Sequence, residues 1–190
     1  MKIQDIHNQY SPAIARYLTR LTGSSDVAED LTQEVFIKVN NGLGKFKGDS
    51  SLSTWIYKIA TNIAIDRSRS KFFQKIEKQT VSRDKLENQE WSNIELMSKE
   101  EKSPEQQMVN NEMNDCIRSY INRLKENYKT VIWLCDYEGL KNRETAEVLG
   151  VSIETVKIRL HRARAKLKEM MNNGCDIYNN HNGEIGCNEK

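Results

Sequence analysis

The sequence predicts an all-α protein of two small helical domains: an N-terminal one of three to four helices and a C-terminal helix-turn-helix domain, joined by a polar linker. Three observations carry that expectation. Large apolar residues recur at steps of three and four through most of the chain, the spacing of a helix face. Nine Gly and two Pro in 190 residues are too few for the turn-rich strands of barrels and sandwiches. Between Glu77 and Glu105 the periodicity lapses, with eight acidic side chains against five basic ones and few large apolar residues, as in a linker.

Ile3, Ile6, Tyr10, Ile14, Leu18 and Leu21 form the first stripe, with a break expected at Ser11 because Pro12 sits inside it and suits a helix start. Gly23-Ser24-Ser25 ends that piece, and Ser25 or Asp26 is the expected cap of the next. The second helix, Val27 to Val39, buries Val27, Leu31, Val35 and Val39 and exposes Glu29, Asp30, Gln33 and Glu34, until Asn40-Asn41-Gly42 stops it. Gly44 to Ser50 reads as an ordered loop. Ser51 to Lys71 is a third helix with Leu52, Trp55, Ile56, Ile59, Ala60 and Ile63 inside, and Trp55 is read as core because it is in phase with Ile59 and Ile63. The linker is expected to be helical only around Trp91 to Met97. Ser103-Pro104-Glu105 then offers a cap, a first-turn Pro and an acid. Met113, Ile117, Ile121 and Leu124 continue one face, Lys129 to Tyr137 forms another helix ended by Gly139, and Arg143–Leu149 and Ile153–Met171 follow.

The sharpest local signal spans Arg143 to Lys157. Ala146 lets a second helix cross closely, Gly150 supplies the positive φ of a tight turn, Val151 plugs the space between the helices, and Ser152 caps the second. Val156, Leu160, Ala163 and Leu167 face inward, leaving Glu154, Lys157, Ile158, His161, Arg162 and Ala165 on a face that could enter a major groove. From Ser152 to Lys168 there are six bases and one acid, Glu154. A merely solvated helix mixes signs, so DNA is favoured over an acidic protein partner.

Composition bounds the rest. Lys and Arg number 29 against 27 Asp and Glu, a formal net charge of +2 that by itself names no nucleic-acid partner. No apolar run is long enough to span a bilayer, and Met1 to Asp5 lacks a secretory signal. The four Cys are too scattered for a disulfide framework. A soluble, cytoplasmic protein without membrane insertion is expected.

In the first half, Asp30-Leu31-Thr32-Gln33-Glu34-Val35-Phe36-Ile37-Lys38-Val39 is followed by Phe46-Lys47-Gly48-Asp49-Ser50-Ser51-Leu52-Ser53-Thr54-Trp55-Ile56-Tyr57-Lys58-Ile59-Ala60-Thr61-Asn62, then by Asp66-Arg67-Ser68-Arg69. This resembles the second conserved region of extracytoplasmic-function (ECF) sigma factors of the sigma-70 family, and the C-terminal half resembles their fourth region. The likeness covers about residues 10–71 and 107–170. It implies region 2 over residues 1–72 and region 4 over 107–171 with a linker over 73–106 between them, and the Asn- and Gly-rich composition of 172–190 reads as a flexible tail. It further implies that Asp30, Gln33, Glu34 and Phe36 dock on the clamp helices of core RNA polymerase. Phe46, Asp49, Ser50, Lys58, Asn62, Arg67 and Arg69 would read the −10 element and capture an unstacked base. An aromatic and small polar groups in a loop beside bases suit single-stranded DNA. Ser152, Lys157, Ile158, Arg159, His161, Arg162 and Arg164 would read the −35 element. Promoter DNA, core polymerase and a separate anti-sigma factor are the implied partners.

No enzyme is expected: His7, His161 and His181 are scattered, and neither clustered carboxylates nor a phosphate-cradling Gly loop occurs. The runner-up is a free-standing helix-turn-helix regulator, but a receiver half would show strand-forming apolar runs and an acidic pocket. Cys116 and Cys135 are read as core packing. Cys175, His181 and Cys187 match no common zinc pattern, so no metal or cofactor is expected and the tail is read as reduced and flexible.

Overall fold

The computed structural model of the chain describes residues 2–78, 116–179 and 185–189. The expected helix around Trp91–Met97 and the helix start at Ser103-Pro104 lie outside the described residues. The N-terminal unit is three helices: α1 (Ile3–Thr22), α2 (Ser25–Leu43) and α3 (Leu52–Lys78), packed pairwise. The C-terminal unit holds α4 (residues 116–122), α5 (Glu126–Ile132) running into a π-helical turn (Trp133–Tyr137), α6 (Asn142–Leu149) and α7 (Ile153–Gly174).

The boundaries of the first two helices differ from expectation. α1 passes through Pro12 without a break. Pro12 and Asn8, whose carbonyl loses its donor, both lie on the exposed side, where water can serve that carbonyl. The buried face of Ile6, Ile14, Tyr17 and Leu18 holds the helix together across it. The cap of α2 is Ser24, not Ser25 or Asp26: its Oγ accepts from Val27 N at 3.4 Å. α2 also runs past Asn40-Asn41-Gly42 to Leu43, and Gly42 lies so close to the Trp55 ring that an added Cβ would sit 2.9 Å from it.

The helix-turn-helix forms as the sequence requires. Gly150 ends α6 with φ +63°, Val151 N donates back to Ala146 O at 3.1 Å, and Ser152 Oγ accepts from Thr155 N at 3.1 Å to open α7. A serine cap of this kind contributes about 1 kcal/mol. Val156, Leu160 and Ala163 are buried, while Leu167 and Val151 are half-buried.

After α7 the expected structureless tail is replaced by an antiparallel ribbon, β1 (Cys175–Asn179) paired with β2 (Ile185–Glu189), in the register Cys175↔Glu189 and Ile177↔Cys187. Ile177, Tyr178 and Ile185 supply the β-branched and aromatic side chains a strand favours, and two Asn and a Gly stand among the five residues between the strands. No helix among the described residues is long and apolar enough to cross a membrane.

The two units share one apolar cluster, and α6 lies against α3. At their junction Glu138, just past the π turn, is almost buried. Its carboxylate accepts from Arg20 Nη1 at 2.5 Å and from the Tyr57 hydroxyl at 2.6 Å. The Arg20 guanidinium stacks over Trp133 and Tyr137, with centroid distances of 5.9 and 5.3 Å. Tyr57 meets Tyr17 edge-on at 5.3 Å, and the Tyr17 hydroxyl bonds Thr61 Oγ1 at 2.8 Å. Burial, then the Glu138 charge, raises the Tyr57 pKa, and burial raises that of Tyr17, so both phenols stay protonated. Lys129 Nζ adds a bond to the Leu21 carbonyl at 3.3 Å, across the same junction.

Removing one partner of a buried ion pair typically costs about 3–5 kcal/mol. Glu138→Ala is therefore expected to loosen the two units by that order. The measurement is small-angle X-ray scattering, where the radius of gyration should rise while the helical circular dichroism is retained. An unchanged radius would mean that the apolar contacts alone hold the units together.

Candidate nucleic-acid interface

α7 presents its basic residues in rows fixed by helical spacing. Lys157, His161, Arg164 and Lys168 follow one another at steps of four, three and four, and with Asn142, Leu160 and Ala165 they line a shallow groove beside the start of α6. Ile158 and Arg162 form the adjacent row, and Ile158 is 52% exposed, unusual for so apolar a side chain. Lys157, His161, Arg162 and Arg164 are exposed, whereas Arg159 is half-buried. Ser152 is exposed, but its hydroxyl is engaged in capping. Lys168 joins the row although the sequence reading did not single it out; its place eleven residues after Lys157 is the signal that finds it.

Arg164 is not an unengaged cation. Its Nε donates to Asp136 Oδ2 at 3.1 Å and its Nη2 to Asp136 Oδ1, a two-pronged pair anchored on the π turn. That pair, led by its hydrogen bond, raises the Arg164 pKa further. Arg164 thus fixes α7 against the π turn while keeping more than half of its side chain in solvent.

The expected single-strand pocket is partly assembled. Phe46 lies half-buried against the Trp55 ring with centroids 5.0 Å apart, and Trp55 in turn abuts Gly42. Ser51 Oγ accepts from Thr54 N at 3.1 Å, starting α3 immediately after the loop. Asp49 and Asn62 are exposed, and Ser50 and Lys58 half-exposed, with Lys58 and Asn62 one turn apart on α3. Arg67 departs from this group. At ~100° per residue it lies about 140° around α3 from Asn62, and it lines a polar pocket at the junction with Thr22, Glu126 and Lys129. The side chain of Arg69 lies outside the described residues.

On α2, Asp30, Gln33 and Glu34 are exposed on one stripe, with Glu34 paired to Lys38 at 3.2 Å. Phe36, expected on this surface, is instead 6% exposed and packs edge-on against His7 at 4.7 Å. The apolar residue on the acidic stripe is Ile37, 61% exposed. Its spacing of three and four from Glu34 and Gln33 is the sequence signal for it.

Comparison with known proteins matches residues 6–72 to the Sigma-70 region 2 family and residues 114–167 to the Sigma-70, region 4 family. RNA polymerase sigma factor YlaC of Bacillus subtilis is 34% identical over 89% of this chain and 91% of its own. The sigma factor SigZ of the same organism is 30% identical over 97% of this chain and 96% of its own. Its ECF sigma factor SigW is 32% identical over 88% of this chain and 87% of its own. Among solved structures, the sigma factor RpoE of Bartonella quintana, in complex with the anti-sigma factor NepR, matches with a TM-score of 0.67 and 21% identity. That match covers 89% of this chain and 96% of the RpoE chain. CnrH in complex with the cytosolic domain of CnrY matches with a TM-score of 0.61 and 20% identity, over 90% and 88%. At those identities the solved structures share the fold.

Proposed function

The chain belongs to the ECF subgroup of the sigma-70 family, and on that premise we infer that it is a sigma factor that binds core RNA polymerase, directs it to specific promoters and assists their opening. The observation that carries this reading is the pairing of two unlike surfaces on one chain: an acidic stripe on α2 and a basic helix-turn-helix at α6–α7. A free-standing regulator would need the second and has no use for the first. It acts as an initiation factor in the cytoplasm, with no catalysis of its own.

Residues 1–72 act as region 2 and 107–171 as region 4, with 73–106 linking them. Asp30, Gln33 and Glu34 dock on the polymerase, with Ile37 giving that polar stripe an apolar centre to desolvate. Phe46, Asp49, Ser50, Lys58 and Asn62 hold the −10 strand. Exposing a base costs a few kcal/mol of unstacking, which the Phe46–Trp55 shelf offsets by stacking. Lys157, Ile158, His161 and Arg162 face the −35 groove, where Ile158 suits a thymine methyl. The two promoter elements stand roughly 80 Å apart at ~3.4 Å per base pair, so α6 must leave α3, and the Glu138 contact must open, when both are read. The RpoE chain was solved in complex with the anti-sigma factor NepR, and CnrH in complex with the cytosolic domain of CnrY. A separate anti-sigma factor holding this chain inactive fits the same pattern.

Run-off transcription with purified core polymerase tests the whole reading: addition of the chain should create promoter-dependent transcripts, and their absence on a panel of genomic promoters would refute it. Charge reversal at Asp30 and Glu34 should weaken core binding in a pull-down and leave promoter-fragment affinity intact; unaltered core binding would remove the α2 stripe from the interface. Arg162→Ala should relax preference at one or two −35 base pairs by about 1–3 kcal/mol. Arg164→Ala should instead lower affinity for every sequence alike and reduce the salt slope by about one. Titrations against single-base variants at two salt concentrations separate the two, and a uniform loss for Arg162→Ala would make it a phosphate contact.

A further inference from the structure

Cys116, on α4, and Cys175, at the first position of β1, are 59 residues apart in sequence, yet their Sγ atoms lie 3.4 Å apart. The fold around them sets that approach. Tyr120, one turn after Cys116 on α4, is 3% exposed, and its hydroxyl accepts from the Cys175 thiol at 3.4 Å. A Cβ on Gly174 would fall 2.1 Å from that hydroxyl and 3.1 Å from the ring, so the lack of a side chain there is what lets α7 end against α4. Arg123 lies over the same ring at 5.0 Å and brings a positive charge to this corner, the sign that favours a thiolate. The two thiols differ in access: Cys116 is half-buried, whereas Cys175 is buried.

We propose that Cys116 and Cys175 form a modification site for a hydroperoxide, in which Cys116 is oxidised first and Cys175 resolves it into a reversible disulfide. The Cys116 thiolate attacks and breaks the O–O bond, leaving a sulfenic acid on Cys116 and releasing an alcohol, or water when the oxidant is hydrogen peroxide. The Cys175 thiolate then attacks the Cys116 sulfur; the S–S bond forms and the sulfenic oxygen leaves as water. In sum the two thiols give up two electrons and two protons, and the peroxide takes them. A sulfur–sulfur bond is ~2.05 Å long, so the Sγ atoms, already in van der Waals contact, close by about 1.4 Å. The contact with Cys175, then burial, raises the Tyr120 pKa. The phenol therefore keeps its proton and can turn to donate to the Cys175 sulfur when that becomes the attacking thiolate.

Cys135 is placed differently. Its Sγ lies 3.3 Å from Thr145 Oγ1, and burial raises its pKa, so it stays a thiol. In the reducing cytoplasm where the chain is proposed to act, a disulfide is transient and sensing in character, and a dithiol reductant reverses it by becoming the disulfide itself. While it lasts, the bond closes a loop that contains all of α5 and α6 and nearly all of α7, which constrains the unfolded chain and stabilises the C-terminal unit. It lies seven residues past Lys168, so it staples the DNA-reading helix at its far end and leaves the basic row uncovered.

The test is made on the full chain alone, so its outcome is independent of the sigma factor reading. One equivalent of hydrogen peroxide added to reduced chain should lower the intact mass by two hydrogens. Peptide mapping without reductant should join Cys116 to Cys175, and dithiothreitol should restore the starting mass. Chain unfolded in guanidinium should instead give mixed pairings. The bond should raise the melting temperature by about 5 °C or more. Cys175→Ser should halt the reaction at a sulfenic acid on Cys116 that dimedone labels, whereas Cys135→Ser and Cys187→Ser should still form the bond. A disulfide mapped chiefly to any other pair, the same mixture from folded and unfolded chain, an unchanged melting temperature, or peroxide consumed without a bond would overturn the proposal. Should Cys175→Ser fail to fold, the chain carrying both Cys135→Ser and Cys187→Ser decides, because it keeps only the two cysteines named and must form the bond within one monomer.

Discussion

The carboxylate of Glu138 is the constraint from which the arrangement of the two units follows. A carboxylate withdrawn from water is tolerated only where donors replace its hydration. Here the donors come from α1 and α3, so satisfying one side chain fixes three elements at once. Arg20 supplies the compensating charge, and its planar guanidinium can also lie over two aromatic rings, which a lysine ammonium would do less well. Tyr57 supplies the second donor, and Tyr17 and Thr61 extend the network into the core of the N-terminal unit. Against this polar centre the Trp133 indole N–H is buried with no acceptor among the described residues, so the junction is not fully satisfied.

Local pattern carried much of the architecture. The helical stripes, the positive φ at Gly150 and the Ser152 cap all depend on residues within a few positions of one another, where periodicity and turn chemistry act. Tyr17 was missed as core because its neighbours at helical spacing already formed a complete stripe, and only the tertiary partner Thr61 explains a buried hydroxyl there. Pro12 does not break α1 because it lies on the side that faces water, a placement that local propensity does not contain. Phe36 turns inward although the resemblance implies it on the docking surface: it and Ile37 are adjacent and both apolar, and the packing of His7 against Phe36 is a tertiary contact that leaves Ile37 outside. The bonds of Glu138 to Arg20 and Tyr57 span 118 and 81 residues, and no window of neighbouring residues contains them.

Charge is segregated although it nearly cancels in total. α2 carries Asp30 and Glu34 on a stripe whose basic neighbour Lys38 is already paired, whereas α7 gathers Lys157, Arg162, Arg164 and Lys168 with a single acid in its first turn. A net charge of +2 conceals this because the fields act over a Debye length of ~8 Å, far shorter than the molecule. Each surface therefore meets its partner as a locally acidic or locally basic body. Arg164 shows how the basic one is kept in order: part of its charge is committed to Asp136, which holds α7 in place.

The π turn at Trp133–Tyr137 accommodates one residue more than an α-helical turn would. Within it Asp136 turns to α7, and at its end Glu138 turns to α1 and α3. Those two carboxylates are two residues apart yet serve opposite sides of the helix that bears them. A single-residue deletion here would heal the helix into regular α geometry and spare most of the apolar contacts. It would also remove the widened turn that sets Asp136 and Glu138 in place, and with it their bonds to Arg164, Arg20 and Tyr57. The turn therefore works as a phase adjuster, in which the length of the segment and not only its chemistry is under constraint: substitutions can be absorbed there, but a change of one in the residue count cannot.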